Sequence, residues 1–261
     1  LAQPETLVSD LMDDDPVFVT TLTDQEKVAQ VMSRYDLHVI PVVDLENRLV
    51  GIVTFDDVLD VVEEEATEDF ERMAGIQPFE EKYLEIGLFT LARKRLTWLL
   101  VCIMTQAFTS SILKYHESVI SSVVALTFFI PFLIDTGGNT GTQSSTLMIR
   151  GMTLGEIKWR DIGGVLLREA FTGLILGAVL ALFGVFRAVS LGTGMDVALV
   201  VAISLVAVVM IGNLVGVLLP FAARALRFDP AIVSGPFITT VVDVVGLLIY
   251  FQIARQVLGL G

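Results

Sequence analysis

The sequence predicts a small α/β unit followed by an all-α membrane domain of five helices. Two observations predict it. Charge is concentrated at the front: residues 1–90 hold 22 Asp/Glu against 5 Lys/Arg, a net of −17, and residues 91–261 hold 8 against 12, a net of +4. Apolar residues are concentrated behind, in five stretches each near the length that crosses a bilayer. The acidic front half repels nucleic-acid phosphates and suits cations, or a switch regulated by them. The single Cys102 lies in an apolar run, which excludes a disulfide framework and a cysteine-based zinc site. The first ten residues lack a signal-peptide pattern. The organisation expected is an acidic unit over 1–73, a connection over 74–95 and a membrane domain over 96–261.

The front unit reads element by element. Residues 23–36, TDQEKVAQVMSRYD, place Val28, Val31 and Met32 on one helical face, with Thr23 as candidate N-cap. HVIPVVD (38–44) and LVGIVTF (49–55) are β-branched and apolar, two strands around an ENR turn. Residues 56–73 read as a helix opened by acids, favourable at the positive end of its dipole. This stretch resembles a CBS motif, on VSDLM, VIPVVD and GIVTFDDVLDVV. CBS motifs pair, and paired ones bind adenine nucleotides. The resemblance therefore implies ATP as a ligand, with Thr54 and Asp57 meeting the ribose.

GIQP breaks the helix near residue 75, and FEEKYLEIGLFTLARKR reads as an amphipathic connecting helix ending in Arg93, Lys94 and Arg95. A basic cluster before an apolar run marks the cytoplasmic side. The spans expected are 96–113, one beginning near Val119, 162–189, 197–220 and 231–258. Arg150, Lys158 and Arg160 fall in one loop and Arg224 and Arg227 in another, against weaker basic content in the alternate loops. The bias puts the N-terminus in the cytoplasm and, after five crossings, the C-terminus outside. Arg168 and Glu169, early in the third span, snorkel or pair with a neighbouring helix.

The second span contains FLIDTGGNTGTQSST (132–146). From Val119 to Ile149 a straight helix would be about 46 Å long, more than a roughly 30 Å core accepts. The segment must tilt, break or run on into the cytoplasm. Gly137, Gly138 and Gly141 favour a local break, with Pro131 adding a kink. Unwound backbone at that depth faces protein, ligand or water, as in ion sites of transporters. The bland reading is that the small residues permit close helix packing.

The fifth span holds Asp243 midway, with no basic residue within ten positions. A charge at the bilayer centre costs about 3 kcal/mol on insertion scales, so such a carboxylate marks a functional site. Pro236 frees a carbonyl one turn back. Thr239 and Asp243 share a face, and Ser234 and Gly235 lie near the same stripe. Asp135 is the other intramembrane carboxylate. A stripe of hydroxyls, carbonyls and carboxylate suits Mg²⁺ or Ca²⁺, and a single carboxylate holds hydrated Mg²⁺ through its waters.

On ARKRLTWLL, GGNTGTQSSTLMIRGM and DPAIVSGPFITTVVDVVGLLIYF, together with the CBS motif and five spans, the chain is similar to the MgtE family of magnesium channels. The resemblance implies a homodimer in the inner cell membrane, multi-pass, with a pore on its two-fold axis. It implies Asp243 as the pore aspartate, Gly235 and Thr239 beside the ion path, and Gly137, Gly138 and Asn139 as the contribution of span two. It implies that cytosolic Mg²⁺ closes the pore by binding Asp24, Asp36, Asp57, Glu65, Glu68 and Asp69, with residues 79–92 as a plug helix. The family pattern also has an acidic helical domain and a first CBS motif ahead of what is read here, and residues 1–6 resemble the tail of such a segment. Competing readings are an ion-coupled divalent-cation carrier or exchanger, a membrane-anchored nucleotide sensor, and an intramembrane protease using Asp135 and Asp243. Nucleic acid is not an expected partner.

Overall fold

A computed structural model describes residues 6–12, 15–79, 81, 83–233 and 235–260. They fall into two compact units, divided between Thr67 and Glu68.

In the first unit, strand β1 (Val19–Thr20) leads to helix α1 (Gln25–Arg34). Strands β2 (Val39–Val43) and β3 (Leu49–Thr54) follow, then helix α2 (Phe55–Met73), whose C-terminal turns belong to the second unit. The sheet order is β1-β2-β3, with β1 parallel to β2 and β2 antiparallel to β3. Strand β1 escaped the sequence reading because two residues carry no periodicity. Met32, Ile40 and Val58, from α1, β2 and α2, form the core with Val19, Val28 and Ala29. The cap of α1 is Asp24, whose carboxylate accepts from Glu26 N at 3.0 Å. Thr23 is one residue too early: its hydroxyl accepts from Thr20 N at 3.0 Å and closes the turn instead.

The second unit is helical: α3 (Leu88–Tyr115), α4 (Glu117–Ser122), α5 (Ile130–Thr153), α6 (Ile162–Ser190), α7 (Met195–Ala225) and α8 (Gly235–Leu258). Among the described residues four helical segments are long and apolar enough to cross a membrane: α3, the segment Trp159–Ser190 that contains α6, α7 and α8. Helix α5 is more polar. It packs against both α7 and α8, while α7 also packs against α6.

The connection is not one helix. Gly75 turns with φ +74° where a Cβ would strike the Trp98 ring, and the described residues between 76 and 87 are non-helical. Helix α3 then starts after Gly87 and carries Arg93, Lys94 and Arg95 straight into the first span. The amphipathic pattern over 79–92 is thus split: its front half is turn, held by Phe79 N donating to Glu71 Oε2 at 2.9 Å, and its back half is the start of α3.

The second span also differs from expectation. Helix α5 runs unbroken through Gly137, Gly138 and Gly141. The interruption lies upstream, where Val123 leaves helical geometry and Val124–Phe129 form a 3₁₀ turn. Pro131 falls in the first turn of α5, where a missing N–H costs nothing, so it starts the helix rather than kinking it. The glycines serve contact instead of unwinding. A Cβ on Gly137 would lie 2.5 Å from Val208 Cγ1 and 2.9 Å from Val242 Cγ1, and one on Gly141 would lie 3.0 Å from Gly212 O. Packing also explains Gly212 of α7, whose Cβ would lie 2.6 Å from Gly137 O and 2.9 Å from Thr140 Oγ1. Close backbone approach through small residues is how membrane helices associate without a hydrophobic drive.

Gly212→Ala should therefore force α5 and α7 apart. Overpacking of this kind costs about 1–3 kcal/mol. The expected result is a lower melting temperature of the purified chain in detergent, while a control change at Gly163, where a Cβ meets nothing within 4 Å, leaves it unchanged.

Candidate functional site

Helices α5 and α8, which pack against each other, each carry one carboxylate. Asp135 lies in the second turn of α5 and Asp243 in the third turn of α8. Each lies about one turn from the point where Gly138 of α5 meets Thr239 of α8. Asn139, one turn after Asp135, donates its amide to Asp135 Oδ2 at 3.2 Å. Asp243 is half-buried, and both Asp135 and Asn139 are exposed on the single chain. A continuous α5 places Asp135 inside the helix and on the face it shares with Asn139.

The approach of α5 to α8 is set at Gly138. A Cβ there would meet Thr239 Cγ2 at 2.9 Å and Thr239 Cα at 3.4 Å. Gly137 and Gly138 are buried between helices, so their part in the site is to bring α5 close. Gly235 begins α8, and a Cβ on it would lie 3.2 Å from Thr142 Cγ2 of α5. Pro236 then falls in the first turn, where no helical hydrogen bond is lost, so the freed carbonyl expected from sequence does not arise. The Pro236 carbonyl instead accepts from the hydroxyls of Thr239 and Thr240, each at 2.9 Å. Those hydroxyl protons are taken up by backbone, while the hydroxyl oxygens keep lone pairs that can face a cation or its waters. Ser234 lies outside the described residues.

Behind α5 is a polar link of the kind expected for Glu169, which pairs with a neighbouring helix. Ser144 donates to Glu169 Oε2 of α6 at 2.7 Å, and Asn213 of α7 donates to the Glu169 carbonyl at 3.4 Å. Glu169 thus pairs with a hydroxyl on a neighbouring helix; the signal was a carboxylate inside an apolar span.

The six acidic residues assigned to sensing are dispersed in their roles. Asp24 caps α1. Asp36 ends the turn after α1 with φ +50°. Asp57 accepts from Thr54 Oγ1 at 2.6 Å, so the pair assigned to ribose is bonded to itself. Glu65 accepts from Gln25 Nε2 at 2.8 Å. Glu68 pairs with Arg72, which also pairs with Asp229. Asp69 accepts from Thr153 Oγ1 at 3.3 Å. Among the described residues no group of three or more His, Cys, Asp or Glu is placed to hold a metal ion.

Comparison with known sequences adds the family. The sequence model of MgtE, described as a divalent cation transporter, matches residues 130–253, and that of the CBS domain matches residues 8–64. The first match falls on helices α5 to α8 and the second on the α/β unit. A relative named magnesium transporter MgtE in Thermus thermophilus is 47% identical over 99% of this chain and 57% of its own length. Proteins of the same name in Bacillus subtilis and Enterococcus faecalis are 40% and 36% identical, each over 97% of this chain. The chain spans just over half the length of these curated relatives. Both carboxylates of the α5–α8 pair fall inside the MgtE match.

Gly138→Val should widen the α5–α8 contact and separate Asp135 from Asp243. The expected outcome is weaker protection of the detergent-solubilised chain by Mg²⁺ in thermal melts, with melting in the absence of Mg²⁺ lowered by about 1–3 kcal/mol equivalent. Unchanged protection would detach the glycine from the site.

Proposed function

We propose that this chain forms the conducting part of a magnesium channel in the cell membrane. The observation that carries the proposal is the close approach of α5 and α8 at Gly138 and Thr239, each about one turn from a carboxylate, Asp135 or Asp243, inside the residues that match the MgtE model. Relatives named magnesium transporter cover nearly all of this chain, which supports the choice of ion.

The mechanism follows from charge and hydration. Mg²⁺ sheds its waters reluctantly, so a path that holds the hydrated ion through water-mediated contacts avoids the dehydration cost. Carboxylates and carbonyls accept from those waters, while thiolates and imidazoles are not needed. Two copies about a two-fold axis would each present Asp135 and Asp243, so that the ion's charge is balanced without any one oxygen ligating it directly. Asn139 keeps Asp135 oriented, and Thr239 and Gly235 line the approach. We assign α5 as the second of five crossings, with the N-terminus in the cytoplasm by the basic clusters at 93–95 and 150–160.

Closure by cytosolic Mg²⁺ is the regulatory part of the proposal. Asp24, Asp36, Asp57, Glu65, Glu68 and Asp69 belong to a region whose net charge of −17 repels itself, and divalent ions relieve that repulsion. The C-terminal turns of α2 are the physical link. Asp69 reaches Thr153 at the end of α5, and Arg72 reaches Asp229 just ahead of α8. Movement of these turns would thus reach both helices of the carboxylate pair.

Mg²⁺ flux into liposomes containing the purified chain tests the pore. Asp243→Ala should abolish flux, and Asp243→Asn should retain flux with reduced selectivity over monovalent cations. Flux by the alanine variant equal to that of the unmodified chain overturns the assignment. For regulation, neutralising Glu65, Glu68 and Asp69 together should keep flux high when Mg²⁺ on the N-terminal side is raised. A flux that still shuts off at the unmodified threshold rejects the sensor.

A further inference from the structure

At the opposite end of the bundle from Gly235 there is an open cleft of about 520 Å³ between the last turns of α3 and α8. The two helices run parallel: Trp98 and Phe237 meet near their starts at 6.5 Å between ring centroids, and His116 and Phe251 stack near their ends at 4.5 Å. The cleft is two-faced. Leu248 and Ile249 give it an apolar wall, and Tyr115, His116, Gln252 and Arg255 give it a polar one. Among the described residues no acidic side chain lines it. Arg255 Nε is buried without a hydrogen-bond partner, although an arginine carries five donors. His116 is 6% exposed, with Nδ1 held 2.9 Å from Ile112 O.

Depth completes the picture. Arg255 lies about 13 Å along the axis from the midpoint of the 24-residue helix α8, against a half-thickness of about 15 Å for the hydrocarbon core. That is the level at which lipid phosphates begin, and tyrosine is favoured there. Leu248, two turns deeper and 46% exposed, lies at acyl depth.

We infer that this cleft binds the phosphate headgroup of an anionic phospholipid, with Arg255 as the phosphate ligand and Leu248 and Ile249 against an acyl chain. A guanidinium whose buried Nε has no hydrogen-bond partner, set beside an apolar wall, matches an amphiphile that is anionic at one end and apolar at the other. A free inorganic anion leaves the apolar wall unused, and a zwitterionic lipid brings an ammonium toward the arginine. The inference requires the helices to span a bilayer, not that they conduct.

Native mass spectrometry of the purified full chain, titrated with phosphatidylglycerol, phosphatidylcholine or inorganic phosphate, tests it. Phosphatidylglycerol should bind with clear preference over phosphatidylcholine, and inorganic phosphate should not displace it. Arg255→Gln should weaken binding roughly tenfold or more, and Arg255→Lys less, because the fork is lost but the charge kept. Gln252→Glu, at an exposed position, should weaken binding without touching the arginine, which guards against a folding defect in the first variant. Equal binding by Arg255→Gln and the unmodified chain overturns the inference, and so does full displacement by inorganic phosphate. It also fails if Gln252→Cys forms an interchain disulfide in bilayers while the chain retains no phosphatidylglycerol, since a second copy then fills the cleft.

Discussion

The membrane half depends on backbone-to-backbone contact between α5 and α7. Where Gly137 and Gly141 face Gly212 and Gly216, no side chain separates the two helices. In lipid, apolar side chains gain little by leaving acyl chains for one another. Association therefore rests on van der Waals fit and on polar groups shared across helices, and both need the axes close together. Glycine supplies the closeness. Ser144 with Glu169, and Asn213 with the Glu169 carbonyl, supply the sharing, and they tie α6 to the same seam. Farther along, Tyr250 OH donates to Leu126 O at 2.8 Å and fixes α8 against the 3₁₀ turn ahead of α5.

That packing decides what remains for function. Hydroxyls that read as ligands in the sequence are mostly bonded to their own helix: Thr239 and Thr240 to Pro236, Thr140 to Gly137 at 3.0 Å, and Thr136 to Phe132 at 2.6 Å. An intact helix satisfies its own polar groups, as an apolar solvent requires. Asp135 accepts from Asn139 of its own helix, yet a carboxylate keeps further acceptor capacity that water or a cation can fill. The buried hydroxyls of Thr142, Ser145 and Ser204 are exceptions of another kind, with no hydrogen-bond partner.

The acidic front unit shows the opposite economy. Its carboxylates have local work: Asp24 caps a helix, Asp57 holds Thr54, and Asp44 accepts from Glu46 N and Arg48 N at 2.9 Å in the turn between β2 and β3. Each bond is local and solvent-exposed, worth little alone. A divalent ion can therefore compete for these side chains without dismantling the core built on Met32, Ile40 and Val58. The tail of α2 differs: Arg72 pairs with Asp229 just ahead of α8, and Asp69 accepts from Thr153 at the end of α5, so its contacts tie it to the helical unit.

By itself, the sequence determined the sorting of the chain into an acidic α/β unit and an apolar helical half. Charge and hydropathy are summed along the chain, and burial cannot reverse them. It also marked Asp243 as a candidate, because a carboxylate amid Val242, Val244 and Val245 is costly wherever the helix sits. Only the tertiary structure decided what the glycines do. Gly137, Gly138 and Gly141 are compatible with an unwound turn and with tight packing, and the choice depends on a partner surface about seventy to a hundred residues away, at Val208, Gly212, Ile238 and Thr239. The same holds for Asp135, whose standing depends on the helix continuing past it and on α8 lying beside it. Local spacing records which residues share a face; it does not record what that face will meet.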